Sequence, residues 1–427
     1  PVFSPDNKGL GTSISGRQLQ TTPQGNRAID DIARLDPRIQ VTDQNDGSIS
    51  VAGQPNRYNN ITVDGLSQND PFGLNANGLP YTGSPISPDT IAAYNISTTD
   101  FDTSSDTVGA NINAVTKSGT NDFHGSVYYA LKDASSMVGR LGGDAYDGFD
   151  KDEVTGFTIG GPILKDRLFF FAAYEDEKLK GLKGDGSDAV TTGKISMADV
   201  DQAIAIDNTL GMQPGTYGST GVTLEDKRAL AKLDWNITDT QRASFTYQRV
   251  EETRPTPYSG YVRDNSAILS SNWYTINSKT DNYSLQLFSD WSDNFSTEVK
   301  IGYQKFANTN GAAVDQPEIW LTVPAGGGFT GGTIYMGEDE FRHENSIASK
   351  RLNATISGSY YVGDHVIKGG FDYLSNEMSD VFGRDLHGVY TFTDVNGDGS
   401  VFDEFAAGQY SKFTKTIIPN GVTLGDI

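Results

Sequence analysis

Phe295, Thr297, Val299, Ile301 and Tyr303 alternate with Ser296, Glu298, Lys300, Gly302 and Gln304. A period of two held this long describes a β-strand with one apolar and one wet face. Phe245 and Tyr247 alternate in the same way with Ser244, Thr246 and Gln248. Leu352, Ala354, Ile356 and Tyr360 alternate with Asn353, Thr355, Ser357 and Ser359. From Phe123 onward the pattern predicts about nine strands. They lie near residues 123–131, 154–162, 167–176, 225–235, 241–250, 281–291, 295–306, 348–362 and 365–375. Several exceed the ordinary strand length of about 5–6 residues.

The connections between these strands carry more information than the strands. Leu164-Lys165-Asp166, Asn236 to Thr240, Ser292-Asp293-Asn294 and Gly363-Asp364 are tight. Between them lie long polar connections, roughly Asp133 to Glu153, Leu179 to Leu224, Glu251 to Thr280 and Ala307 to Ile347. Short and long alternate strictly. A soluble sandwich has no reason to gather every long loop at one end, whereas a transmembrane barrel has short turns on one side and long loops on the other. Aromatic residues near the strand ends (Phe123, Trp235, Trp291, Phe295, Tyr360 and Tyr361) sit where membrane girdles occur. Ordinary β-propensity would place about half of them there anyway.

The first ~120 residues read differently. Asn26 to Arg34 carries Ile29, Ile32 and Ala33 at helical spacing and is bounded by Pro37, which predicts one short helix. Short β segments follow at Ser48–Ala52, Asn60–Val63, Ile91–Thr98 and Asn111–Thr116, with a Gly/Asn/Pro-rich loop at Gly65–Ser84. Residues 1–117 are therefore expected to form a small α+β domain, and residues 118–427 the first part of a barrel wall.

Composition narrows the class. Only 36% of the 427 residues are hydrophobic, and the longest apolar run is Leu168 to Tyr174, so no helix crosses a bilayer. A barrel strand needs only about 9–11 residues. The 48 glycines, 20 tyrosines and 21 phenylalanines suit turns and strands. A net charge of −22 argues against nucleic acid as a partner. Zero cysteines removes disulfide and thiolate chemistry. Pro1-Val2-Phe3 does not open a signal peptide.

Two stretches carry a family likeness. Asn59-Asn60-Ile61-Thr62-Val63-Asp64-Gly65 and Gly109 to Asn121 (GANINAVTKSGTN) resemble the plug of TonB-dependent outer-membrane receptors. Lys117 to Ser126 (KSGTNDFHGS), Gly160-Gly161-Pro162-Ile163 and Leu168-Phe169-Phe170-Phe171 resemble the barrel opening and first hairpin of the Oar-like subfamily. Gly25-Asn26-Arg27 through Asp36-Pro37-Arg38-Ile39 resembles its entrance. The likeness covers residues 10–180; beyond them only the alternation matches. It implies a mostly β fold, an antiparallel transmembrane barrel of 22 strands with the plug in its lumen. It also implies a non-enzymatic importer in the outer membrane of a Gram-negative bacterium. Substrates too large for porins would bind where plug and extracellular loops converge, and TonB would pull the plug to open a path. The partners implied are outer-membrane lipid, TonB, and an extracellular peptide, glycan or chelate. Nothing before residue 10 resembles the TonB-contacting segment, which is expected to lie outside this sequence. An arginine-rich exit common in siderophore receptors is replaced by Thr98 to Thr107, which argues against an iron–siderophore cargo. The alternatives are a structural or protein-export component of the outer membrane and, from another class, a soluble β-rich adhesin.

The plug loop Asn69 to Tyr81 supplies candidate substrate contacts in Asn69, Asp70, Phe72, Asn75, Asn77 and Tyr81, with a generic polar loop as the bland reading. Asp394-Val395-Asn396-Gly397-Asp398-Gly399-Ser400 opens like a calcium loop, with oxygens at alternate positions. Its twelfth position is Phe405, so an EF-hand is not expected. Asp394, Asn396, Asp398, Ser400, Asp403 and Glu404 are the candidate ligands of a non-EF calcium ion, against a solvated acidic turn. No other cofactor is expected. Gly326 to Gly331 matches a dinucleotide fingerprint, but Thr333-Ile334-Tyr335 is β-like where a helix is needed, so a flexible external loop is expected. His124, His343, His365 and His387 are scattered and predict no metal or acid–base role. No nucleophile motif is present. Nine strands cannot enclose a plug of this size, and nothing near Leu424-Gly425-Asp426-Ile427 resembles a closing strand. About a dozen further strands are therefore expected outside the sequence.

Overall fold

The computed structural model describes residues 11–43, 47–98, 109–136, 140–141, 144–145, 148–182, 188–218, 221–256 and 265–419. Residues 99–107 of the expected plug exit and the stretch Leu424–Ile427 lie outside the described residues.

Every alternating segment becomes a strand of one sheet. The strands run His124–Asp133, Lys151–Leu164, Leu168–Leu182, Val222–Asn236, Gln241–Thr256, Tyr274–Ser292, Phe295–Ala312, Glu344–Val362 and His365–Gly383. Each pairs antiparallel with the next in that order. The two outermost strands pair on one side only among the described residues. At the tight turns the strand ends match the alternation closely. At the opposite ends the strands run further, the last of them to Gly383 instead of residue 375. Past the bilayer both faces meet water, so the apolar mark fades while the hydrogen-bond ladder continues. A strand of 19 residues spans ~60 Å at ~3.3 Å per residue, about twice the hydrocarbon thickness.

The outward face stays apolar and uncovered. Val127 is 85% exposed, and Tyr129, Ile159, Leu233, Leu285, Ile356 and Phe371 are exposed with it. Tyr247, Tyr283 and Tyr303 are cross-strand partners on three neighbouring strands. Their ring centroids are 5.1 and 6.4 Å apart. An apolar face this wide is stable only against lipid. The inward positions are polar and buried, among them Glu175, Arg228, Lys232, Gln248, Asn282 and Gln304.

Residues before the wall form a separate sheet with spatial order Gly11–Ser15, Ile91–Ser97, Asn111–Thr116, Asn60–Val63, Leu66–Ser67. Ile29, Ile32, Ile61, Val63, Tyr94, Ile96 and Ile112 share its core. The expected helix is present over Ile29–Ala33. The helix Gly16–Thr21 and the hairpin Ile39–Asp43 with Ser48–Val51 had weaker signals.

The long connections, expected as loops, instead fold together. Ser266–Ile268, Gly332–Met336, Glu318–Val323, Val389–Phe392 and Lys412–Thr414 form a five-stranded sheet in that spatial order. The helices Asp188–Thr191, Met197–Thr209 and Phe402–Ala406 pack with it. Ile195, Val200, Leu269, Leu321, Ile334, Val401 and Phe405 build its core. Gly326–Gly331 is the turn of a hairpin within this loop domain, closed by the Gly326–Phe329 bridge. Gly327 and Gly328 adopt positive φ there, which reverses the chain at no steric cost.

Candidate functional site

The N-terminal unit lies against the polar face of the wall, and the two are joined by charge. Glu175 is fully buried on its wall strand. One of its oxygens accepts from Arg27 Nη2 at 2.7 Å, Ser87 Oγ at 2.7 Å and Tyr128 OH at 2.9 Å. The other accepts from Arg228 Nη1 at 2.7 Å. Arg228 also pairs with Glu177 at 2.9 Å and with Asp226, and its Nε donates to the Ser84 carbonyl at 2.9 Å. Arg27 reaches Asp89 at 2.6 Å and lies 5.2 Å over the Tyr128 ring. It does so from a left-handed backbone, φ 53°, a conformation non-glycine residues seldom hold without tertiary support.

Further links follow the same wall face. Thr82 N and Oγ1 donate to Glu252 at 2.8 and 2.5 Å, Gln248 donates to the Pro85 carbonyl, and Asn282 donates to Gln68. Leu66 packs so closely on Gly302 that a Cβ there would lie 2.3 Å from Leu66 Cδ1.

The two sequence stretches that resemble a plug meet in space. Asn60–Val63 pairs parallel with residues 111–114. Asp64 then accepts from Thr116 N at 2.9 Å and Thr116 Oγ1 at 2.6 Å, and Lys232 of the wall stands 3.4 Å away. Lys117 Nζ donates to the Asp89 carbonyl at 2.7 Å. Gly119 is needed where the chain crosses to the wall, since a Cβ would fall 2.3 Å from the Phe170 carbonyl oxygen.

A cavity of about 510 Å³ lies between the unit and the wall, lined among others by Asn77, Leu79, Thr82, Asp226, Arg228 and Arg254. That is a ligand-sized volume with mixed charge. Of the candidate contacts, Asn77 borders it, and Asn75 accepts from Arg254 at 3.3 Å. Phe72 faces the ring of Phe306 at 6.2 Å. Asn69 is spent internally, bridging Ile61 N and the Asn59 carbonyl. Asp70 caps its own loop through Phe72 N and Leu74 N, and burial holds its carboxyl above the usual range. Tyr81 corrects the expectation. At 1% exposure it is a core residue of the unit, out of reach of a ligand.

In the acidic loop, Asp394 accepts from Gly397 N at 2.7 Å and Gly399 N at 2.9 Å. Asn396 accepts from Asp398 N, Asp398 from Ser400 N, and Ser400 Oγ from Phe402 N. Asp403 is exposed. Glu404 is buried; one oxygen accepts from Val395 N and Asn396 N at 3.3 Å, and Oε2 has no protein partner.

Glu175, Arg27 and Arg228 were not singled out from sequence. Their only signal was charge at wall-facing parity, as in Asp226-x-Arg228 and Glu175-x-Glu177. The histidine expectation also needs correcting, because the structure stacks His343 on His387 with centroids 4.8 Å apart.

Residues 115–192 and 197–423 match a family model described as an outer membrane beta barrel domain. The TonB-dependent transporter Oar of Myxococcus xanthus is 37% identical over 166 residues, covering 35% of this chain and 14% of that protein. The siderophore receptor PirA from Acinetobacter baumannii superposes with TM-score 0.58 at 16% identity, over 86% of this chain and 48% of that one. The outer membrane transporter YddB from Escherichia coli gives TM-score 0.62 at 13% identity, over 90% and 50%. The chain thus spans about half the length of these solved structures.

Proposed function

The chain belongs to the outer membrane beta-barrel family, and from that premise we propose that it is the plug and part of the wall of a TonB-dependent importer. Its cargo would be a bulky extracellular peptide, glycan or chelate. The observation that supports this reading is the buried Arg27–Glu175–Arg228 network. It holds the plug to the wall through a few charged contacts instead of a shared apolar core. Such contacts are strong while desolvated and are lost together once water reaches them. An energised pull on the plug would therefore meet a cooperative release and not gradual slippage. The cavity beside Arg228 and Arg254 is where cargo would contact both the plug and the wall.

Labelling of Ser87→Cys tests this in the protein's own cells, since the chain has no cysteine of its own. Ser87 is buried against Glu175 and Tyr128. A thiol reagent is expected to reach it in energised cells with TonB and not after a protonophore or loss of TonB. Equal labelling in both states refutes the coupled movement.

We further propose that the Asp394 loop takes calcium. The buried Oε2 of Glu404, left without a protein partner, supports this. Asp394 and Asp398 would turn from backbone N–H groups toward the ion.

A further inference from the structure

The loop domain gathers two imidazoles and a carboxylate that the sequence keeps far apart. Glu338 follows the strand Gly332–Met336, His343 immediately precedes the wall strand Glu344–Val362, and His387 follows the wall strand His365–Gly383. One donor atom from each lies within 4.8 Å of the other two, the single such group of His, Asp or Glu side chains among the described residues. We propose that Glu338, His343 and His387 bind a divalent transition metal of the zinc class, clamping the loop domain to the rim of the wall.

The hydrogen bonds fit this role. His343 Nε2 faces the Glu338 backbone carbonyl at 3.3 Å, and its Nδ1 takes the His387 backbone N–H at 3.2 Å. Those partners assign the proton to Nε2 and leave the Nδ1 lone pair on the side of His387. A ligating histidine usually donates its other N–H to a carbonyl or carboxylate, which fixes ring and tautomer. His343 already has that support. Nearby, His387 Nδ1 is hydrogen-bonded to Glu338 Oε2. The ion would replace the shared proton there and the long bond at His343 Nδ1.

Charge and access agree. His343 is buried, and burial, with His387 next, pushes its pKa down to about 4, so at neutral pH no proton competes with a metal. The His387 side chain is 41% exposed, which gives solvent access. Asp315 Oδ1 stands 4.0 Å from His387 Nδ1 and is fully exposed, placed to fill a fourth position. Two imidazoles with carboxylates match zinc, nickel or copper, whereas calcium prefers all-oxygen shells. Metal–donor distances of about 2.0–2.2 Å require the three groups to close slightly from their present spacing.

The experiment is calorimetric titration of the full-length protein in detergent with Zn²⁺, after chelator treatment. One saturable site is expected that Ca²⁺ does not compete for. His387→Ala and Glu338→Gln should each weaken it about 10–100-fold, while His365→Ala, on an exposed strand end, leaves it unchanged. Co²⁺ in place of Zn²⁺ should give d–d bands that His387→Ala alters. Near-ultraviolet circular dichroism checks that each variant keeps its loop domain. Absence of a saturable zinc site in the parent protein, or unchanged affinity and Co²⁺ spectrum in folded His387→Ala, overturns the proposal.

Discussion

Arg228→Met removes the cation that three carboxylates share. In the native network Arg27 and Arg228 face Glu175, Glu177, Asp226 and Asp89, two positive charges among four negative ones. The substitution leaves one among four, with Glu175 and Asp226 still buried. Methionine has similar length, so little volume is lost and the cost is electrostatic. Breaking a buried pair by deleting one partner costs about 3–5 kcal/mol, because the other charge stays desolvated. With a urea dependence of about 1–3 kcal/mol per molar, plug release should move to lower urea by roughly 2 M. Hydrogen exchange of amides in the plug strands Asn60–Val63 and Asn111–Thr116, followed against urea in detergent, reads this directly. Neutralising the stranded carboxylates in Arg228→Met/Glu175→Gln/Asp226→Asn should recover most of the loss, since a polar network removed as a whole costs far less than one broken in half. A shift under about 0.5 kcal/mol in Arg228→Met, the size of an ordinary surface substitution, would refute the latch. So would a triple variant no better than the single.

A Leu66→Cys/Gly302→Cys pair should form a disulfide, because the close contact there puts the two Cβ atoms near the required spacing of about 3.5–4.5 Å. The oxidised form should abolish the energised labelling of Ser87→Cys, and reductant should restore it; persistence of labelling in the oxidised form counts against plug movement. In the loop domain, burial, with Asp339 next, pushes Glu318 up to about 8. Folded protein then holds a proton that the unfolded chain releases near its ordinary value of 4.5, so stability falls as pH rises toward 8. His343 acts oppositely: lowered to about 4 from 6.5, it lets stability rise with pH across that lower window. Above about pH 6.5 only the Glu318 effect remains, and Glu318→Gln should flatten the decline in melting temperature between pH 6.5 and 8; an unchanged slope refutes the assignment. Calcium should raise the melting temperature of the wild-type loop domain and not that of Asp398→Asn, as seen by calorimetry; equal response in both removes the Asp394 site.

The wall was legible because its information is local. Strand parity repeats every two residues, and a one-residue slip would turn Phe295, Val299 and Ile301 from lipid to lumen, so register is written into each strand. The turns at Asp166 and Gly363, both with positive φ, announce themselves through residues that tolerate it. The plug stretches were legible as motifs, but their reason was not: Asp64 and Thr116 meet only through a parallel pairing that spans about fifty residues. The rest depended on tertiary structure. The loop domain pairs Ser266–Ile268 in parallel with Gly332–Met336, and Glu318–Val323 with Val389–Phe392. No connection holds its own sheet partner throughout, so none shows a strand signal strong enough to outweigh its glycines and polar residues. Tyr81 looked like a binding aromatic because it sits in a polar loop, and only packing against the plug core shows otherwise. The latch and the His343–His387 pair share one cause. A charge or an imidazole on a strand end means little until the fold fixes what lies opposite it, and that depends on how the barrel brings distant strands around the plug.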